Sequence, residues 1–421
     1  MTTHQTFRRV TAALVTLVTT VALTACGSEE RGTVPPGAPA SEPAFWRGAW
    51  AASPQAPGTS AENWSAEGFS DHTLRQSVRV TLGGERLRIE LSNRYGTRPL
   101  RIDGATVARA AGKGAVVPGS ARPLTFDGGG TVTIPAGGTL LSDAADLPLD
   151  AFDSVTVTLR LSGATGPATV HRVASATTHR AKGDHLSDID GSAFTETDAS
   201  WYFLTGVEIQ GSSPDSRAEG AVVTFGDSLT DGTRSTRDAN HRYPDALAER
   251  LAATGRPRAV LNHGISGNKV VRDGGPYGEK ALTRFGPDAL TERGVTTVII
   301  LEGTNDLGYT SDPEVSVDEL IEGHLALIGK ARARGLRVVG ATLPPFKGSS
   351  HYSPHNEAQR DAFNDWIRTS GAYDAYADLD RALADPGDPD RIRPAYDSGD
   401  RLHPNDAGYR AMAEAVDLDV L

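Results

Sequence analysis

One short stretch constrains this chain more than any other: Ala221–Gly232, which reads Ala-Val-Val-Thr-Phe-Gly-Asp-Ser-Leu-Thr-Asp-Gly. The apolar run Val222 to Phe225 fits a buried strand, and Gly226 ends it. Ser228 then stands where a strand hands over to a polar, helix-starting turn. A hydroxyl there lies at the edge of a sheet, beside backbone N–H groups. Alone, the same letters also describe an ordinary Asp/Ser helix cap.

Beyond about residue 219 the pattern alternates strands with amphipathic helices. Helices are expected at Tyr243–Thr254, Leu320–Arg334, Asn356–Thr369 and Asp406–Ala415, with Gly255 and Gly335 as stops. Further strands are expected at Ala259–Leu261, Val298–Leu301, Leu336–Ala341 and Tyr373–Asp378. This βαβ rhythm implies an α/β fold, a parallel sheet covered by helices. Ligands of such sheets bind beyond the C-terminal ends of the strands.

Three more polar blocks fall at those ends: Gly264-Ile265-Ser266-Gly267, Gly303-Thr304-Asn305-Asp306 and Asp400-Arg401-Leu402-His403-Pro404. With Gly226-Asp227-Ser228-Leu229-Thr230-Asp231-Gly232, these four blocks in order resemble the GDSL/SGNH serine hydrolases, a group of esterases, lipases and glycan deacetylases. The resemblance covers 221–421 and implies a flavodoxin-like sheet. It assigns oxyanion donors to the backbone N–H of Ser228, the backbone N–H of Gly267 and the side-chain amide of Asn305.

Residue chemistry reaches the same site. A serine hydroxyl needs a base, and His403 is the best candidate. Asp400, three positions earlier, is placed to hold the imidazole in one tautomer; its other reading is a turn carboxylate. Asp227 is read as a capping residue, and Asp306 as one that ties its own loop. No Gly-x-Ser-x-Gly surrounds Ser228, so the turn is not an α/β-hydrolase elbow. The expected reaction is two-step acyl transfer that requires no metal and no cofactor. The expected pocket walls are Asn268–Gly278, Gly308–Pro313 and Pro344–Ser353. Asp378, Asp380, Asp385, Asp388 and Asp390 read as a solvated acidic loop rather than a calcium site.

Residues 44–211 have an all-β texture. Ser77–Leu82 and Leu87–Leu91 alternate apolar and polar around Gly83-Gly84, which predicts a hairpin. Val132–Ile134 and Val155–Leu161 repeat the alternation. The expectation is a jelly-roll-like sandwich joined to the 219–421 hydrolase region by a polar segment, Ser212–Ser216. Trp46, Trp50, Trp64 and Trp201 read either as a sugar-stacking platform or as packing residues. His171, His179 and His185 match no metal spacing and read as hydrogen-bonded loop histidines.

The first 26 residues carry Arg8 and Arg9, a short apolar core and Leu23-Thr24-Ala25-Cys26. That is the form of an export signal, and it looks like a lipobox that makes Cys26 a lipidated residue. The twin arginines are a weak match to the Tat route. Cys26 is the only cysteine, so no internal disulfide can form. Residues 27–43 are rich in Pro, Gly, Ala, Ser and Glu and read as a tether. The net charge of −11 argues against nucleic acid as a partner. A lipid-anchored surface protein acting on a small-molecule or glycan ester is therefore expected. A lipase or lysophospholipase, an acyltransferase and a non-catalytic glycan-binding protein are the alternatives.

Overall fold

Ala221–Gly226 is buried along its whole length, as its apolar run requires, and it lies second in a five-stranded sheet. The computed structural model describes residues 45–58, 63–211, 220–309 and 314–421. The export signal with Cys26, the tether, the Ser212–Ser216 joint and part of the Gly308–Pro313 wall lie outside those residues.

The strand order is 260–264, 221–226, 295–301, 337–341, 375–377, and every neighbouring pair is parallel. Gly226 stands level with Gly264 on one side and with Leu301 on the other. Three of the four polar blocks therefore leave the sheet side by side, at its C-terminal edge. Helices Tyr243–Ala253, Val317–Arg332, Pro354–Thr369 and Asp406–Glu414 form as the periodicity predicts. Among the described residues no helix is long and apolar enough to cross a membrane.

Ahead of this sheet lies an all-β region of two larger antiparallel sheets. One takes the order 46–51, 204–210, 84–92, 145–149; the other runs 196–198, 178–182, 72–79, 154–161, 104–112, 115–116. The predicted hairpin does not form. His72–Arg79 pairs with Ser154–Leu161 and Thr178–Lys182, whereas Gly84–Ser92 pairs with Leu204–Gln210 in the opposite sheet. The reason is physical: alternation says that one face is buried but not which sheet the strand joins. Both strands do bury that face in one core, Leu74 and Val78 meeting Leu87 and Ile89.

The all-β region covers the edge of the parallel sheet. Gly48 N–H donates to the Arg293 carbonyl at 3.3 Å, and the Val260 N–H donates to the Thr81 hydroxyl at 3.1 Å. A side chain at Gly48 would start 2.7 Å from Leu261. The Thr81 hydroxyl also donates to the Val260 carbonyl at 3.3 Å, so both backbone groups of this edge-strand residue are paired within the chain. Ala44–Leu421 forms one compact unit with two hydrophobic cores.

The tryptophans are not a sugar platform. Trp50 and Trp201 are buried and meet edge to face at 4.8 Å. Trp64 stacks on Tyr202, and the Arg88 guanidinium covers Trp46. The aspartate run is not one loop, since it crosses the short helix Leu379–Leu383 and the strand Asp388–Ile392: Asp378 and Asp380 pair with Arg368, while Asp388 and Asp390 stay partly solvated and pair with Lys347.

Candidate active site

Only glycine fits at the end of strand Ala221–Gly226. A Cβ on Gly226 would stand 2.0 Å from the Leu301 carbonyl oxygen. The next residue, Asp227, caps the one-turn helix Ser228–Asp231 by accepting from the Leu229 N–H at 3.0 Å. Ser228 is left at the first helical position with its hydroxyl facing out of the sheet edge.

His403 arrives from the C-terminal loop. Its Nε2 lies 2.9 Å from Ser228 Oγ, and its Nδ1 lies 2.8 Å from Asp400 Oδ2. Asp400 Oδ1 also accepts the His403 backbone N–H at 2.8 Å, so one carboxylate fixes both ring and loop. With the Nδ1 proton held by the carboxylate, the Nε2 lone pair faces the serine hydroxyl. Burial alone would raise Asp400, but the bonds from the His403 ring and N–H outweigh it and hold the carboxyl well below the usual range. Arg234, 3.4 Å away, adds a cation.

The predicted oxyanion donors divide two to one. Among the described residues, neither the Ser228 nor the Gly267 backbone N–H donates to an internal acceptor. Gly267 has φ +82°, and a Cβ there would sit 2.4 Å from the Tyr277 ring. Glycine is required on both counts. Asn305 is more occupied: its amide donates to the Asn268 carbonyl at 2.9 Å and lies 3.3 Å from Asp227 Oδ2. It can donate to an oxyanion by giving up the longer of the two.

Asp306 corrects its expectation. It ties the neighbouring loop rather than its own, accepting from the N–H groups of Val270 and Val271 at 2.8 and 3.2 Å. Val270 lies two residues after Asn268, so Asp306 anchors the far side of the oxyanion turn. Burial raises Asp306 to about 6, against the pull of those two N–H groups. Burial likewise raises Asp227 to about 7, against the bond from Leu229.

Three functional neighbours escape the sequence reading. His351 packs on Tyr309 with ring centroids 4.5 Å apart, and its Nε2 lies 3.3 Å from Asn305 Oδ1. Burial, then the nearby His403 and Lys269, lower it to about 4, so it is neutral at physiological pH. Arg284 is fully buried under the site. It donates to the carbonyls of Gly226 and His263 at 2.8 Å each and to Asn268 Oδ1 at 2.7 Å. Its guanidinium also sits 3.9 Å over the Phe225 ring, so one cation ties the ends of two adjacent strands to the loop after Gly267. The third is His171, which is no loop histidine: it is buried in the short strand Val170–His171 and reaches Asp231.

The parallel sheet and the hydrogen-bonded Ser228, His403 and Asp400 at its C-terminal edge have the arrangement of a serine hydrolase. Residues 224–411 match the family model described as the GDSL-like Lipase/Acylhydrolase family. The chain carries a domain of that family and is an ester hydrolase. No curated protein matches the chain. Among solved structures, it is similar to a GDSL-like lipase from Bacteroides thetaiotaomicron VPI-5482, with 18% identity over 48% of this chain and 89% of that one, TM-score 0.37. It is also similar to an acetylxylan esterase from Geobacillus stearothermophilus, with 21% identity over 47% of this chain and 91% of that one, TM-score 0.37.

Proposed function

We propose that this protein is an extracytoplasmic serine carboxylesterase that hydrolyses short O-acyl esters through an acyl-enzyme on Ser228. The observation that carries the reading is the unbroken hydrogen-bond chain from Ser228 through His403 to Asp400. His403 takes the Ser228 proton as Oγ attacks the ester carbonyl, and the tetrahedral oxyanion forms beside the Ser228 and Gly267 N–H groups. Collapse expels the alcohol, which takes the proton from His403. Water, deprotonated by the same ring, then attacks the acyl-serine, and the acid leaves with Ser228 restored.

A short acyl group and a polar alcohol suit the walls. Val270 and Phe346, apolar residues of two wall loops, are buried in the protein interior. Beside the oxyanion residues lie Tyr277, against Gly267, and Tyr309, against His351, both exposed, with Lys269 Nζ 5.2 Å from the Tyr309 ring centroid. Tyrosine faces beside an ammonium suit a hydroxyl-rich alcohol such as a glycan better than an acyl chain of many methylenes. Export and a lipid on Cys26 rest on Leu23-Thr24-Ala25-Cys26. Cys26→Ser should abolish labelling by a fatty-acid analogue.

The test of function is hydrolysis of p-nitrophenyl esters of increasing acyl length by wild type and Ser228→Ala. Turnover that peaks at acetate or butyrate and falls by ~10³-fold or more in the variant supports the reading. Equal inertness of the two proteins, or an optimum at long chains, overturns it.

A further inference from the structure

The oxyanion turn is held from outside the hydrolase region. Asp231, the last residue of the serine helix, is 1% exposed and uses both carboxylate oxygens. Oδ2 accepts from the Ser266 N–H at 2.8 Å and from the Ser266 hydroxyl at 2.6 Å. Oδ1 faces His171 Nε2 at 3.0 Å. Ser266 is the residue immediately before Gly267, so its position sets where the Gly267 N–H points.

His171 belongs to the all-β region and is itself held from three directions. Its Nδ1 lies 3.0 Å from the Ser53 carbonyl, which can only accept. Nδ1 therefore donates to it, which turns Nε2 toward the Asp231 carboxylate. Trp201 stacks on the ring at 5.4 Å with an interplanar angle of 29°. Trp50 closes on Trp201 in turn.

A second contact from the same two segments reaches the other side of the turn. Gln55 Nε2 and Arg172 Nη1 both donate to the Pro276 carbonyl, at 3.1 and 3.0 Å. The next residue, Tyr277, fills the space that a Gly267 side chain would need. Residues 53–55 and 170–172 thus brace the turn on both flanks.

We infer that His171 is a positioning residue for catalysis: acting through Asp231, it fixes the Ser266–Gly267 turn, so the all-β region completes the oxyanion site. The inference rests on the reading of the Gly267 N–H as an oxyanion donor. A misplaced donor stabilises the developing charge less in the transition state, so the loss falls on kcat rather than on KM.

The experiment compares wild type, His171→Ala and His171→Gln. Gln keeps an N–H donor at the reach of Nε2. Each protein is assayed on p-nitrophenyl acetate with kcat normalised to fluorophosphonate-titrated sites, and hydrogen exchange is followed over peptides spanning 262–270. His171→Ala should lose about 10- to 100-fold in kcat with KM within threefold, and Gln should recover most of it. Exchange over 264–268 should quicken in Ala but not in Gln. If His171→Ala does not fold, Ser266→Ala removes only the hydroxyl end of the relay and should lower kcat in the same way. A kcat within threefold of wild type overturns the inference, and so does unchanged exchange over 264–268. Should wild type show no turnover at all, the esterase reading fails, and the exchange data alone decide whether His171 orders the turn.

Discussion

His403 Nε2 lies 2.9 Å from Ser228 Oγ across 175 positions of sequence. The contact depends on which ring nitrogen carries the proton, and that is set by Asp400 at the other end of the imidazole. Asp400→Asn keeps the shape but offers an amide that also donates, so the ring can turn over to the wrong tautomer. Turnover should fall by about 10³- to 10⁴-fold, while the thermal midpoint moves little because both residues remain partly solvated. Full activity in Asp400→Asn would remove the aspartate from the mechanism.

Asn305 offers a sharper discrimination, because its amide already has partners in Asn268 and Asp227. If it also serves the oxyanion, Asn305→Ala should lower kcat by about 10²-fold or more with KM nearly unchanged. A lower thermal midpoint with kcat intact would instead make Asn305 a brace between loops. Steady-state kinetics and calorimetry on one preparation separate the two.

Much of the site was legible because its parts are local. Ser228, Gly267, Asn305 and His403 each sit in a short block whose glycine or proline punctuation marks a strand end or a turn. Arg284 was hidden for a local reason too: Gly286-Pro287 looks like a loop, yet the helix Ala281–Ala289 runs through Pro287. His351 fell in an expected wall, but nothing in its neighbours signals the contact with Asn305. His171 was hidden for a deeper reason. Its partner Asp231 is 60 positions away, and no spacing rule predicts a contact that arises from docking two sheets. The false hairpin at 77–91 has the same origin.

Arg284 should be among the least replaceable side chains in the protein. Its donors satisfy Gly226, His263 and Asn268, and its charge faces Asp288 and Glu302 at 3.4 Å each. Burial holds Glu302 well above its ordinary range, so the cation is its main compensation. Arg284→Met should cost about 3–5 kcal/mol in urea unfolding by leaving buried polar groups unmatched. Arg284→Lys should fail as well, since one ammonium cannot reach three acceptors set in a planar fork. A lysine variant with wild-type stability would contradict this account.

The acid limb of stability should carry the mark of His351. In the unfolded chain a histidine titrates near ~6.5, whereas burial and the neighbouring His403 and Lys269 lower His351 to about 4 in the fold. Between those values the unfolded state binds a proton that the native state refuses, so stability contributed by neutral His351 is complete above about pH 6.5 and is lost as pH falls toward about 4. Asp227 and Asp306 act in the opposite sense. Raised to about 7 and about 6 by burial, they keep protons in the native state that the unfolded chain releases near ~3.9, so they favour the fold at acid pH and weaken it toward neutrality. The two trends partly cancel in wild type. In His351→Phe the histidine contribution is gone, while the shifts of the other groups, Asp227, Asp306 and the buried His324 among them, remain and cancel in a comparison with wild type. The stability difference, wild type minus variant, should therefore be flat above about pH 6.5 and shrink below it, at up to about 1.4 kcal/mol per pH unit. Urea denaturation at half-unit steps from pH 4 to 8 measures that difference directly. A difference that stays constant across the range would mean that His351 titrates alike in both states and does not sit desolvated against Asn305.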